Sequence, residues 1–388
     1  MIPDGWQELQ LKDVIKLASG DGRPSDVVAS PDELRANPVY GGNGILGFSG
    51  EANSHADDII IGRVGEYCGI TRFVSGAKWI TDNALYVKAI EAGFDRRFLA
   101  LKLQHYDLSR LRAKGGQPLV SQKPIYGLRF GFPHEDEQVA IRVAVKTWDR
   151  AIETVEALIA NARAQKQALM QQLLTGKRRL PGFDLPWSER SLESIFQFKK
   201  GQGLSKGVVT PEGVRPCILY GELYTRYPEV IREVVGRTNA NDGLPSKSGD
   251  VLIPASTTTT GIDLANATAI LESDVLLSGD INILRPKDTK QSAPFFAYLL
   301  THILKHKIAS RAQGITIVHL YGAHLKPLTV TVPDVEEQHA IASIIMDADD
   351  EILRLEAQLT ALRQEKAALM QQLLTGKRRV KLPESEVA

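Results

Sequence analysis

Gly42-Asn43-Gly44-Ile45-Leu46-Gly47 has the Gly-x-Gly-x-x-Gly spacing that cradles a dinucleotide pyrophosphate when it joins a strand to a helix. Here it runs into Ser-Gly-Glu-Ala-Asn, which supplies no amphipathic helix, and a turn is the better reading. Gly176-Lys177-Arg178 lacks both the earlier glycine and the following Ser or Thr of a phosphate loop. His302 and His306 stand one helical turn apart, but no glutamate follows His302 to complete a zinc-protease pattern. Asp288-Thr289-Lys290 has no Pro-Asp before it to complete a nuclease site, and the Asp/Asn-Pro-Pro-aromatic loop of an amino-methyltransferase is missing. Cys68 and Cys217 are too few for a disulfide framework and have no metal-ligand spacing. The sequence therefore offers no catalytic constellation and no cofactor or metal site of its own.

Contact chemistry is better represented. The net charge is only +1, so any electrostatic footprint must be local. Residues 102–129 hold Lys102, Arg110, Arg112, Lys114, Lys123 and Arg129 against one acid, Asp107. Residues 302–326 hold Lys305, Lys307, Arg311, Lys326 and four histidines with no acid. Phosphates are the natural partners of such segments. The turns around them carry Gln117, Ser121 and Lys123 beside Lys114, and Gln313, Thr316 and His319 beside Arg311. Arg63, Asn83, Thr257 and Thr258 add groups able to reach base edges; Gln and Asn suit adenine and Arg suits guanine. Each alone is ordinary turn chemistry, and it is recurrence at matching places that favours DNA.

The recurrence is explicit. Residues 168–179 and 368–379 both read ALMQQLLTGKRR. At the same offset of 200, Pro133, Glu137-Gln138 and Ala140-Ile141 fall on Pro333, Glu337-Gln338 and Ala340-Ile341. Trp6, Leu11 and Gly20 align with Trp187, Leu192 and Gly201 at an offset of 181, so the middle of the second copy is 19 residues longer. With 388 residues and 43% hydrophobic content, two similar frames can each enclose a core around a divergent middle.

From Glu135 to Leu174 there is no proline or glycine, and apolar residues recur at alternating steps of four and three. The seam runs Ile141, Val145, Trp148, Ile152, Val155, Ile159, Ala162, Lys166, Leu169, Leu173; the second runs Ile341, Ile345, Ala348, Ile352, Leu355, Leu359, Leu362, Lys366, Leu369, Leu373. Asp334 before Glu337 suggests a capping box, and Gly176 and Gly376 suit left-handed C-caps. The spacing predicts two helices of about 40 residues paired antiparallel. Partners then sum to 514, so Ile141 meets Leu373, Ile152 meets Leu362 and Val155 meets Leu359. Lys366 would lie on Trp148 and Lys166 opposite Ala348, or both lysines would simply reach solvent. Lys177, Arg178 and Arg179, with Lys377, Arg378 and Arg379, follow the helix ends, where they can meet phosphates or partners or complement the helix dipole.

Within the divergent parts, Ile59–Ile61, Thr71–Val74, Trp79–Thr81 and Leu85–Val87 read as strands, as do Val251–Ile253, Thr268–Leu271 and Ile281–Leu284. A helical stretch follows in each copy, Phe98–Leu111 and Phe295–Ile308. The expected fold is α+β: two β-rich reader domains, the target-recognition domains of the family resemblance given below, separated by a long antiparallel two-helix coiled coil, with pseudo-twofold internal repeat. The expected boundaries are 1–133 and 187–333 for the readers and 134–176 and 334–376 for the spacer helices, with a linker at 177–186 and a basic tail at 377–388. The N-terminus shows no signal-peptide pattern and no run approaches a membrane span, so a soluble cytoplasmic protein without membrane association is expected.

Two variable regions, each followed by Pro-x-x-x-Glu-Gln-x-x-Ile and a helix ending in MQQLLTGKRR, resemble the specificity subunit of type I restriction-modification systems. The resemblance covers nearly the whole chain. It implies a non-catalytic, sequence-specific DNA-binding subunit that reads a bipartite double-stranded target. It further implies two methyltransferase subunits and motor-nuclease subunits as partners, which would carry S-adenosylmethionine, ATP and Mg. Two other classes stay open: a self-contained DNA methyltransferase or nuclease with its own recognition region, and a coiled-coil scaffold that binds protein only.

Overall fold

Ile59-Ile60-Ile61 and Val251-Leu252-Ile253 are continuous apolar runs, and the strands that hold them, Asp58–Gly62 and Asp250–Pro254, are wholly buried and central to their sheets. Alternate side chains enter different cores, as a pleated strand requires: Ile59 and Ile61 join one cluster and Ile60 another, while Val251 and Ile253 part from Leu252. The computed structural model describes residues 2–113 and 117–380, and mixes helix and strand throughout. Contacts divide the chain into two compact units, Met1–Glu156 with Ala357–Ala388, and Ala157–Glu356.

In the first unit the sheet order is Ile15–Ser19, Ala84–Ile90, Asp58–Gly62, Thr71–Val74, all antiparallel. A hairpin, Asn37–Gly41 with Gly44–Ser49, pairs with Trp79–Ile80, and Gln7–Gln10 pairs with Arg129–Phe132. The helix Arg96–Tyr106 starts at Asp95, whose carboxylate accepts from Phe98 N at 2.7 Å, and it buries Phe98, Leu99 and Leu103 against the sheet. The second unit repeats that order as Phe196–Lys200, Ile281–Pro286, Asp250–Pro254, Thr268–Ile270, with Val230–Ile231 added at the edge. Its additional length also forms a four-stranded sheet of very short strands: Arg237–Thr238, Arg215–Ile218, Leu276–Leu277 and Leu244–Pro245. The expected helix Phe295–Ile308 is broken into Ala293–Tyr298, a π-helical turn at Leu299–Ile303 and Lys305–Ala309.

The long helices span Glu135–Leu173 and Val335–Leu374 and end at Gly176 and Gly376, with φ of +68° and +70°. None of the 20 seam residues is exposed, whereas Val143, Leu158 and Leu353 off the seam are about half exposed. Inside each unit the halves run antiparallel near the expected register. Ile141 and Leu373 share the first core, and Leu173 and Ile341 share the second. The seam lysines differ from expectation. Lys366 Nζ meets Asp149 Oδ1 at 2.5 Å and Lys166 Nζ meets Asp349 Oδ1 at 2.5 Å, each one residue beyond the partner the sum of 514 gives. A carboxylate at both places makes the exceptions symmetric, because a half-buried ammonium gains more from a charged acceptor than from an indole face or an open space.

The repeated polar motifs close these units. Gln138 accepts from Asp95 N at 3.0 Å and donates to Pro133 O at 3.0 Å; Gln338 accepts from Ser292 N and donates to Pro333 O in the same way. Each glutamine thus ties the start of a long helix to the start of its reader's helix. Glu137, 4% exposed, accepts two bonds of 2.6 Å from Arg379, and Glu337, fully buried, accepts 2.7 and 2.8 Å bonds from Arg179. This corrects the reading of Arg179 and Arg379 as phosphate or partner contacts: both are structural clamps on buried carboxylates. Arg179→Ala and Arg379→Ala should each lower the thermal midpoint, while Lys177→Ala and Lys377→Ala should not; equal midpoints for all four would overturn the distinction.

Candidate nucleic-acid interface

The backbone builds the same edge in both units. In the first, Val120 N donates to Arg63 O at 2.9 Å, Gly65 N to Pro118 O at 2.9 Å and Ala113 N to Leu119 O at 3.0 Å. In the second, Leu320 N donates to Ala255 O at 2.9 Å, Ser256–Thr257 pairs with Val318–His319, and Gln313 N donates to His319 O at 2.9 Å. The segment after the helical layer is therefore laid, in both units, on the residues that leave the central strand.

In the first unit this gathers Arg63, Asn83, Gln117 and Ser121. Arg63 N donates to Asn83 O at 3.0 Å, and the Arg63 guanidinium reaches Ser19 Oγ and Asp82 O at 3.2 and 3.3 Å. Lys123 is exposed on the short helix Gln122–Tyr126, and Lys114 lies outside the described residues. The Gly42-Asn43-Gly44 turn also arrives here, as a hairpin tip and not a nucleotide loop. A Cβ on Gly42 would stand 2.1 Å from Val64 O, so only glycine allows the approach. It brings Asn43, exposed Tyr67 and Arg72 to the same edge, residues the sequence did not single out because their neighbours lie 20 to 30 positions away.

In the second unit Arg311, Gln313 and Thr316 are exposed and His319 is half-buried, stacked on Tyr321 with centroids 5.9 Å apart. Thr258 is exposed, but Thr257 is 1% exposed and shares its hydroxyl with Thr259, which removes it from the surface set. A cavity of about 230 Å³ beside this edge is lined by Lys199, Lys200, His319, Tyr321 and Lys326. Lys199, Lys200 and Tyr321 are further contact candidates that no sequence pattern marks.

Two residues leave the basic footprint. Lys102 is 7% exposed, and its Nζ donates to Gly131 O at 2.6 Å and to Leu374 O at 2.9 Å, among the rings of Trp6, Phe98, Phe130 and Phe132. Burial lowers its pKa to about 8. It stabilises the end of a long helix and presents nothing to a phosphate. His302 Nε2 lies 2.6 Å from Glu229 Oε1; burial raises the Glu229 pKa, but the His302 hydrogen bond and the Lys166 charge outweigh it and hold the carboxyl at about 2. Among the described residues no group of three His, Cys, Asp or Glu side chains is placed to hold a metal ion, and no helix is long and apolar enough to cross a membrane.

Comparison with known proteins agrees with the duplicated frame. The profile of the type I restriction modification DNA specificity domain matches residues 3–162 and again 185–362. The type I restriction enzyme MjaVIII specificity subunit of Methanocaldococcus jannaschii is 22% identical over 300 residues, 73% of this chain and 70% of that one. The EcoprrI specificity subunit of Escherichia coli is 24% identical over 140 residues, so the match spans 36% of this chain and only 35% of that relative. The crystal structure of the type I restriction-modification S subunit from M. genitalium has the same fold, with a TM-score of 0.62 at 17% identity over 95% of this chain and 96% of that one. The chain belongs to the type I restriction-modification DNA specificity family.

Proposed function

We propose that this chain is the non-catalytic reader of a type I restriction-modification complex, each unit recognising one half of a split double-stranded DNA target. The observation that carries this is the repeated edge: in each unit the same backbone pairing lays a segment bearing amides and basic residues on the residues that leave the central strand. The candidates at this edge, exposed Asn83, Gln117, Ser121 and Lys123 with half-buried Arg63 in one unit, and exposed Thr258, Arg311, Gln313 and Thr316 with half-buried His319 in the other, supply direct readout, with the lysines and arginines beside them on phosphates. The long helices act as a coiled-coil spacer between the readers and as the docking surface for two methyltransferase subunits, with motor-nuclease subunits joining for cleavage. S-adenosylmethionine, ATP and Mg are bound by those partners, and methylation takes place there.

The readers differ in sequence and length, so the two half-sites should differ as well. Methylated bases mapped in a host carrying this chain and its methyltransferase partner should define two unlike half-sites separated by unread positions. A continuous or palindromic motif would overturn the split reading, and methylation by the isolated chain would make it a self-contained enzyme. Capture of partner subunits with no salt-dependent DNA binding would leave only a scaffold.

A further inference from the structure

We infer that Ile315 is a wedge that enters one base step of the second half-site and unstacks it. This rests on the DNA-reading assignment above and adds a contact made by no hydrogen bond.

Ile315 is 99% exposed and Ile317 is 49% exposed, in the turn between Gln313 and His319. Almost none of the Ile315 surface is covered, yet the turn that carries it is firmly held. Gln313 and His319 exchange backbone bonds of 2.9 and 2.7 Å, and Val318 and His319 pair with Thr257 and Ser256. Gly314 has a φ of +128°, and a Cβ there would lie 2.0 Å from Ile317 O, so the turn closes tightly only with glycine. A pinned turn presenting a fully exposed branched apolar side chain, with Ile317 beside it, has already met the entropic cost of ordering, as an inserting group needs.

The surroundings choose the occupant. Arg311, Gln313 and Thr316 flank the isoleucine, all exposed, and residues 302–326 contain no acid. An apolar tip on a segment with cations, hydrogen-bonding groups and no acid suits a duplex, where phosphates engage the polar groups and the aliphatic group takes the place of a stacked neighbour. The first unit supplies an internal control. Ala113 N to Leu119 O corresponds to Gln313 N to His319 O at the offset of 200, which sets Gly115 in the sequence opposite Ile315. Glycine has no side chain to insert, so only the second half-site should be distorted.

The test uses the chain assembled with its methyltransferase subunits on its mapped target, with 2-aminopurine placed singly along both half-sites. A base of this kind fluoresces when unstacked. The bases mapped as methylated, which methyltransferases extrude, serve as the positive control for binding. One unmethylated position of the second half-site should brighten severalfold, with no such position in the first. Ile315→Gly should abolish that signal, keep the signal at the methylated positions and weaken binding about tenfold. Bound DNA with no brightening at an unmethylated position, or brightening that survives Ile315→Gly, would overturn the wedge while leaving the DNA reading intact. Loss of methyltransferase capture by Ile315→Gly in the absence of DNA would assign the tip to a protein partner and overturn it too. A complex that binds no DNA would overturn both assignments.

Discussion

Lys78→Ala is expected to destabilise the first unit by roughly 3–5 kcal/mol, the range for leaving a buried charge without its partner. The Lys78 side chain has no exposed surface, and its Nζ lies 3.0 Å from Asp58 Oδ2, itself 6% exposed at the start of the central strand. The same ammonium donates to Ala56 O at 2.6 Å and Gly76 O at 2.7 Å, so truncation strands a carboxylate and two carbonyls together. Ser54 Oγ still donates to Asp58, which softens the loss without supplying charge. Lys78→Met keeps the aliphatic stem and should cost nearly as much, because the missing element is the cation. Adding Asp58→Asn to Lys78→Met should recover part of the loss. Urea unfolding followed by tryptophan fluorescence reads all three variants; a shift below about 1 kcal/mol for Lys78→Ala would mean that water reaches Asp58 and the pair behaves as a surface one.

Replacing Lys305, Lys307, Arg311 and Lys326 together with alanine should lower DNA affinity of the assembled complex about a thousandfold near 0.15 M salt. Each phosphate left without its cation takes about 0.9 from the slope of log affinity against log salt. Four such phosphates therefore take about 3.6, and over the decade between physiological and molar salt that amounts to roughly three powers of ten. Lys307 and Arg311 are exposed and Lys305 and Lys326 half-exposed, so the protein should remain folded. Binding should weaken about equally on all duplexes, since phosphate contacts position and do not discriminate. An unchanged salt slope would show that this segment does not lie on the backbone.

The sequence disclosed most where one physical rule acts over many residues. Two helices of 39 and 40 residues are legible because a seam with no proline or glycine needs only periodicity. The central strands are legible because burial on both faces demands an unbroken apolar run. Two-residue strands such as Leu244–Pro245 and Leu276–Leu277 carry no period at all, and tertiary pairing alone defines them. The clamps were hidden for another reason. Arg179 and Glu337 are 158 positions apart, and each looks like a solvated charge until the fold joins them. A signal was present, since Glu-Gln and the second arginine of Gly-Lys-Arg-Arg recur at one offset while the middles diverge. The interface was legible as composition but not as geometry. Arg63, Asn83 and Gln117 come together only through backbone pairs that link residues 20 to 57 positions apart.

The division of the chain also fixes the order in which a ribosome can complete it. Ala157–Glu356 is one continuous stretch, whereas the unit that begins the chain needs Ala357 and beyond. Leu373 and Leu374 belong to the same apolar cluster as Trp6, Phe132 and Ile141, and Arg379 clamps Glu137. The first half to emerge is therefore the last to close, the reverse of the usual N-terminal-first order of synthesis. Nascent chains stalled past residue 356 should protect 157–356 from protease before 2–156, and that waiting half is where a holding chaperone has apolar surface to bind.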